Sequence, residues 1–286
     1  MLQMKLLPLF LAISFGSFHR ITEKENEERK HQCGLTFLNT RAKYKSFGGR
    51  RVKPDEYPWL ARLVYYEKLP HGYLRPHTCS GVLISQRHVM TAAHCVSDRD
   101  ECGNVENREL DQIYIYFGSY CAHYRTCKNP HFAANITKKN YKNPSDVAND
   151  LAIMELRDIV SPRDALPICL PQKDTILAKS LKLAGSGVDT TLKGNLHANG
   201  NQVVDLPLRE DYKKPGEIGT RGPNSSACNG DSGGPLFQVN KDNKNVLVGI
   251  TSTATSCTQV LSVRSVYFAD IRDNLEWICG ETGACQ

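Results

Sequence analysis

Apolar positions are distributed unevenly along the chain. Residues 6–15 (Leu-Leu-Pro-Leu-Phe-Leu-Ala-Ile-Ser-Phe) form one apolar run, preceded by Lys5 and followed by the small pair Gly16-Ser17. The run is too short to cross a bilayer as a helix. Charge, apolar stretch and small residues in that order predict a removable signal peptide over 1–16. Residues 21–31 are polar almost throughout, with charges of both signs. They allow an exposed helix but offer no apolar face to a core. We therefore assign 17–45 to an appended leader. Beyond Phe47-Gly48-Gly49 the texture changes. Short apolar runs at 60–66, 81–84 and 113–117 alternate with segments rich in Gly, Pro, Asn, Asp and Lys, the spacing of an all-β protein. Only 270–279 has a helical period, with Ile271, Leu275 and Ile278 on one face. No later stretch is apolar enough to cross a membrane.

Composition narrows the compartment. Of 286 residues, 40% are hydrophobic and 23% charged, which excludes a largely disordered chain. Lys and Arg outnumber acids 36 to 30, a net charge of +6. That excess is spread along the chain, so it favours an ordinary solvated surface over a nucleic-acid site. Eleven cysteines are usual for a secreted, disulfide-held chain, and the odd count leaves at least one without a partner in the chain. The expectation is a secreted, extracellular protein with no membrane or nucleic-acid partner.

Three short strings carry chemistry. Thr91-Ala92-Ala93-His94-Cys95 sets a histidine beside a cysteine after an apolar strand. Asn149-Asp150-Leu151-Ala152-Ile153 sets an acid at the start of another. Gly230-Asp231-Ser232-Gly233-Gly234-Pro235 sets a serine in a tight, glycine-made turn. Acyl transfer needs these three types. A serine hydroxyl is a weak nucleophile until a neutral imidazole takes its proton, and the imidazole needs a carboxylate to fix its tautomer. Glycine before the serine lets backbone N–H groups point at a developing oxyanion.

In the order His, Asp, Ser, these strings resemble the chymotrypsin-like (trypsin-fold) family of serine endopeptidases, from about Ser46 to about Ile278. The resemblance implies an all-β fold. Two antiparallel six-stranded Greek-key β-barrels would enclose the active site in the cleft between them, with a C-terminal helix, in a protease domain over 46–286. It implies His94 as general base, Asp150 as its orienting acid, Ser232 as nucleophile, and the N–H groups of Gly230 and Ser232 as oxyanion hole. It further implies disulfides Cys79–Cys95 and Cys228–Cys257, with Cys169 tethering the leader through Cys33. Ser252 matches the serine that contacts the triad acid, and Trp277 the tryptophan of the terminal helix. Leu181 and Gln238 stand where relatives have one further disulfide, and no cysteine between Cys169 and Cys228 supplies another. The implied function is hydrolysis of extracellular proteins or peptides without a cofactor or metal. The alternative is a catalytically weak homologue acting as a binding or regulatory protein, consistent with Thr253 where the family often has Trp.

The family is made as a zymogen. Aligning Gly48-Gly49 with its start motif places the activating cut after Lys45, by another protease, so that the new terminus of Ser46 would pair with Asp231. A cut after Arg51 fits less well, because Val52-Lys53-Pro54 lacks the glycines. In the specificity pocket Ser226 would lie at the floor and Ala254 and Ser265 on the walls. That implies a non-tryptic enzyme preferring small or medium apolar residues before the scissile bond. Cys102, Cys121 and Cys127, with His123 and His131, lie in an insert that reads as a loop disulfide plus a leftover, or as a zinc cluster. Cys279 and Cys285 have the spacing of a small terminal ring, but the sequence leaves the pairing of all five open. Asn135-Ile136-Thr137 is an expected glycan site in a polar loop. Asn224-Ser225-Ser226, against the pocket, is expected to stay unoccupied.

Overall fold

The structure, a computed structural model, describes residues 18–37, 49–53, 55–68, 70–99, 104–118, 129–188, 200–223, 225–257 and 262–286. The signal segment, the cut at Lys45 with Ser46, the cysteines Cys102, Cys121 and Cys127, and the sequon at Asn224 lie outside these residues.

In chain order the strands are β1 (Arg50–Arg51), β2 (Leu60–Lys68), β3 (Leu74–Ser85), β4 (His88–Thr91), β5 (Ser97–Arg99), β6 (Val105–Asn107), β7 (Tyr114–Phe117), β8 (Ala133–Lys138) and β9 (Ala152–Leu156). The second half adds β10 (Ser180–Gly185), β11 (Gln202–Pro207), β12 (Glu217–Gly222), β13 (Pro235–Val239), β14 (Asn245–Ala254) and β15 (Arg264–Asp270). One sheet runs β7-β2-β3-β4-β9-β8 and the other β1-β11-β10-β13-β14-β15-β12, while β5 and β6 form a small ladder. Every strand ladder is antiparallel. Each sheet curls until its ends meet, through bridges from Ile115 to His131 and from Leu208 to Thr220. The fold is therefore two antiparallel β-barrels. The second sheet counts seven strands because the two-residue β1 adds to its edge at Gln202 and Val203. That pairing buries Val52, whose N–H donates to Asn201 O at 2.8 Å. The bond after Arg51 is thus tied into the sheet, which weighs further against a cut there.

The barrels are joined by aromatic packing. Trp59 precedes β2, Phe237 lies on β13, and both are fully buried. Tyr57 contacts both rings, and Trp59 meets Phe237 edge-on with centroids 5.8 Å apart. Such pairs contribute about 0.5–1.5 kcal/mol beyond the area they bury. Leu181 is a fully buried member of the second barrel's core. Gln238 accepts from Ala178 N–H at 2.8 Å and donates to Ile176 O at 2.9 Å, holding that segment without a covalent link.

The C-terminal pattern becomes a 3-10 turn, Ile271–Asp273, and a helix, Leu275–Thr282. Ile271 and Ile278 are buried, with Leu275 and Trp277 packed against the same core. Cys279 is bonded to Cys285 just beyond the helix.

The leader corrects the sequence reading. Residues Glu23–Gln32 form a helix, α1, opened by a capping box between Thr22 and Glu25. It docks through polar groups. Asn26 Nδ2 and Arg29 Nη2 both donate to Cys285 O, at 3.0 and 2.9 Å, and both residues are buried. Ile21 enters the main core while its N–H donates to Thr282 O at 2.7 Å. Cys33 is bonded to Cys169, and Gly34 donates to Pro167 O and accepts from Asn245. A helix without an apolar face is thus integrated by hydrogen bonds, one cross-link and the burial of Ile21 just before it. A hydrophobic period cannot signal that kind of docking.

Candidate active site

His94 lies in the 3-10 turn Ala93–Val96, directly after β4. The Cys79–Cys95 disulfide ties this turn back to β3. Asp150 follows the turn Val147–Asn149 and leads into β9, the strand that pairs with β4. Adjacent strands thus deliver His94 and Asp150 to one end of one barrel. His94 Nδ1 lies 2.7 Å from Asp150 Oδ2, and the backbone N–H of His94 donates to Asp150 Oδ1 at 2.9 Å. From the other barrel Ser252 Oγ donates to Asp150 Oδ2 at 2.6 Å. The acid is buried at 1% exposure, and these three donors fix the orientation of its carboxylate. With Asp150 accepting at Nδ1, the ring proton sits there, and Nε2 keeps its lone pair on a side chain that is one-third exposed.

Ser232 comes from the second barrel, in the turn before β13. Its carbonyl accepts from Ser80 N–H at 2.7 Å and lies 3.7 Å from Cys95 Sγ, so its backbone rests against the histidine turn. Gly230 has φ +102°, and a Cβ there would come within 2.8 Å of Ser186 O. Only glycine fits that corner. The N–H groups of Gly230 and Ser232 have no acceptor among the described residues. Between them the Asp231 side chain turns inward. It accepts from Gly187 N–H and Cys228 N–H, each at 2.9 Å. Burial nevertheless pushes its pKa up to about 6, and no cation lies beside it among the described residues. Ser232 Oγ makes no hydrogen bond among the described residues, so the link from serine to histidine is open. Such contacts are often long before substrate binds.

Beside Ser232 opens a cavity of about 380 Å³, lined by Ala227–Asn229 and by Thr251–Cys257, and bordered by the Cys228–Cys257 disulfide. Ser252 and Ala254 line it. Ser226 and Ser265, expected at floor and wall, are not among its described lining residues. Ser265 is engaged across the β14–β15 ladder, where its N–H donates to Thr255 Oγ1 and its carbonyl accepts from Thr255 N–H. Ser226 Oγ is buried and has no partner among the described residues, and Ala227 takes the lining position after it. The cavity's polar character, from Asn229, Thr253, Thr255 and Ser256, was not read from the sequence. Among the described residues, Cys79, His94 and Cys95 form the one cluster of metal-ligating types, and its two sulfurs are bonded to each other. Asn135 lies within β8 and not in a loop.

Sequence reasoning also missed Ser80 and Gly187, which support the serine turn from outside the motif. Their one signal is proximity to Cys79 and to a glycine pair, which many structural positions share.

A family model described as Trypsin matches residues 46–278. The chain is 31% identical over 277 residues to phenoloxidase-activating factor 3 of Holotrichia diomphalia, covering 86% of this chain and 74% of that protein. It is 27% identical over 276 residues to chymotrypsin-C of Bos taurus, covering 86% and 92%. Against CLIP domain-containing serine protease B9 of Anopheles gambiae it is 27% identical over 284 residues, and it spans 66% of that relative's length.

Proposed function

The chain belongs to the trypsin family, and from that premise we propose that it is a secreted serine endopeptidase acting by acyl transfer. The observation that carries the reading is the buried Asp150, whose three donors include His94 Nδ1, set against the turn that bears Ser232. In the proposed cycle Ser232 Oγ adds to the scissile carbonyl carbon while its proton passes to His94 Nε2. The carbonyl oxygen, now an oxyanion, is received by the N–H groups of Gly230 and Ser232. Collapse expels the amine with the proton from His94, leaving an acyl-enzyme. Water then repeats the steps and releases the acid. Asp150 holds the imidazole tautomer and stabilises the imidazolium.

The chain is made as a zymogen, with a signal peptide over 1–16 and a leader to Lys45. Another protease cuts after Lys45. The ammonium of Ser46 then joins Asp231, whose raised pKa and lack of a neighbouring cation among the described residues support this. The Cys33–Cys169 disulfide would keep the leader attached. The preferred residue before the scissile bond is small or medium and apolar. In support, the cavity beside Ser232 has no carboxylate among its described lining residues, and Ala254 is on that lining, where its methyl takes space a glycine would leave. A buried lysine or arginine there would lack a counter-charge. A peptide-library profile should disfavour Lys, Arg, Phe and Tyr by about 1–3 kcal/mol. Dominant cutting after Lys or Arg refutes the pocket reading. The name of phenoloxidase-activating factor 3 says that it activates another protein, which supports a protein substrate for this chain.

Stoichiometric labelling with a serine-reactive phosphonate, before and after limited trypsin cleavage, tests the whole reading. Labelling should rise on cleavage and be lost in Ser232→Ala. The open Ser232 side chain favours a second reading, a weak homologue acting by binding. Absence of labelling after cleavage at Lys45 would select it.

A further inference from the structure

Ser80 lies on β3 beside Cys79, far in sequence from the serine turn, and every polar atom it has is committed. Its N–H donates to Ser232 O at 2.7 Å. Its carbonyl accepts from Thr91 Oγ1 at 2.7 Å. Its hydroxyl donates to Gly230 O at 2.7 Å and accepts from Ser186 N–H at 2.8 Å. The residue is 1% exposed, so water does not compete for these bonds.

The hydroxyl thus bridges two backbone segments of the second barrel from a strand of the first. One is the Gly230–Asp231 peptide, which meets at the Gly230 Cα the Asn229–Gly230 peptide that bears the Gly230 N–H and whose carbonyl accepts from Val188 N–H at 2.9 Å. The other is Ser186-Gly187, whose next N–H donates to Asp231 Oδ1 at 2.9 Å. Ser186 is also fixed from behind, its own hydroxyl donating to Asn201 Oδ1 at 2.8 Å. A Cβ on Gly185 would come within 2.9 Å of Ser80 Oγ and 2.3 Å of Asp231 Oδ1. The three segments therefore close around one hydroxyl with no space to spare.

We propose that Ser80 is a positioning residue for the oxyanion hole: its hydroxyl ties Gly230 O to the 186–188 segment, whose Val188 N–H holds Asn229 O, so that the two peptides flanking the Gly230 Cα are fixed and its N–H stays aimed into the site. The inference rests on the serine-protease reading above. It gives the serine turn a second anchor, separate from the charge pairing of Asp231. Without the hydroxyl, Gly230 O is left buried and unpaired. Glycine's freedom then lets the peptide rotate to seek a partner.

The test compares Ser80→Ala with the parent in the cleaved protein by three readouts. Removing one oxyanion donor outright costs about 10²–10³ in kcat, so misaiming it should cost about ten- to a hundredfold, with KM within about threefold. A peptide aldehyde is the second probe. Ser232 Oγ adds to its carbon, the serine proton passes to His94, and the aldehyde oxygen becomes an oxyanion in the hole. Its affinity should fall by the same factor as kcat, whereas a merely structural defect has no reason to couple the two. Third, amide hydrogen exchange should quicken in 185–188 and 228–234 but not in the first barrel. Ser80→Cys, which keeps a weak donor, should fall between parent and Ala in all three, and it stands in should Ser80→Ala not fold. Parental kcat, aldehyde affinity and exchange in a folded variant overturn the proposal. Ser232→Ala run alongside separates the two readings. If the parent does not turn over, the protease reading fails, and exchange alone decides the clamp.

Discussion

Asp231→Asn in the uncut chain isolates the cost of a buried carboxylate. Burial raises the Asp231 pKa from 3.8 to about 6, against the two backbone N–H groups that favour its charge. The folded chain therefore binds this proton more tightly than the unfolded one. Below about pH 3.8 both states hold it and nothing is lost. As the pH rises toward 6 the unfolded state ionises first, so stability falls, and the loss is complete above about pH 7. Two pKa units correspond to about 3 kcal/mol. Asparagine does not ionise, so the variant lacks this slope. It carries a fixed cost of its own, about 1–3 kcal/mol, because its amide nitrogen must face one of the two donors.

The informative quantity is therefore the gap between the two proteins as a function of pH. Urea unfolding from pH 4 to pH 7.5 should move that gap in favour of Asp231→Asn by about 2–3 kcal/mol. In Tm this is about 5–10 °C. A gap constant within about 1 kcal/mol would refute the burial argument. Cleavage after Lys45 should invert the sign. An ammonium beside Asp231 favours its charged form. The carboxylate then contributes stability above its unfolded pKa that is lost as the pH falls, and the Asn variant should be the less stable partner at neutral pH. An unchanged gap after cleavage would refute the pairing of Ser46 with Asp231.

Three further outcomes are expected. Ser252→Ala removes the 2.6 Å donor to Asp150 and should lower kcat about tenfold with little change in KM, read by steady-state kinetics. Gly34→Ala would bring a Cβ within 2.4 Å of Asn245 O at φ +68°, and should cost about 2–4 kcal/mol in chemical unfolding. After cleavage at Lys45 and mild reduction of Cys33–Cys169, the leader should still co-elute with the body in size-exclusion chromatography. Ile21, Asn26 and Arg29 keep their contacts, and separate, late elution of the free leader would show that the disulfide alone holds it.

What the sequence made legible follows from the kind of interaction involved. The barrels were readable because strands with one buried and one covered face leave apolar runs of fixed length, as β4 and β9 do. The His94, Asp150 and Ser232 strings were readable because their chemistry demands residue types in a set order. The docking of α1 was not, since Asn26 and Arg29 bind a carbonyl some 250 residues away and look like any solvated helix face. Pocket positions are hard to read from sequence for a related reason. Whether Ser226 or Ala227 lines a cavity turns on the direction of one side chain, and local strand pairing at Thr255 decides it for Ser265. Ser80 is the sharpest instance. Nothing in Cys79-Ser80-Gly81 distinguishes a clamp from a filler, because the groups it holds, Gly230 O and Ser186 N–H, are backbone atoms. Chemistry supplied by side chains is written in the sequence, whereas chemistry supplied by backbone appears only once the chain is folded around it.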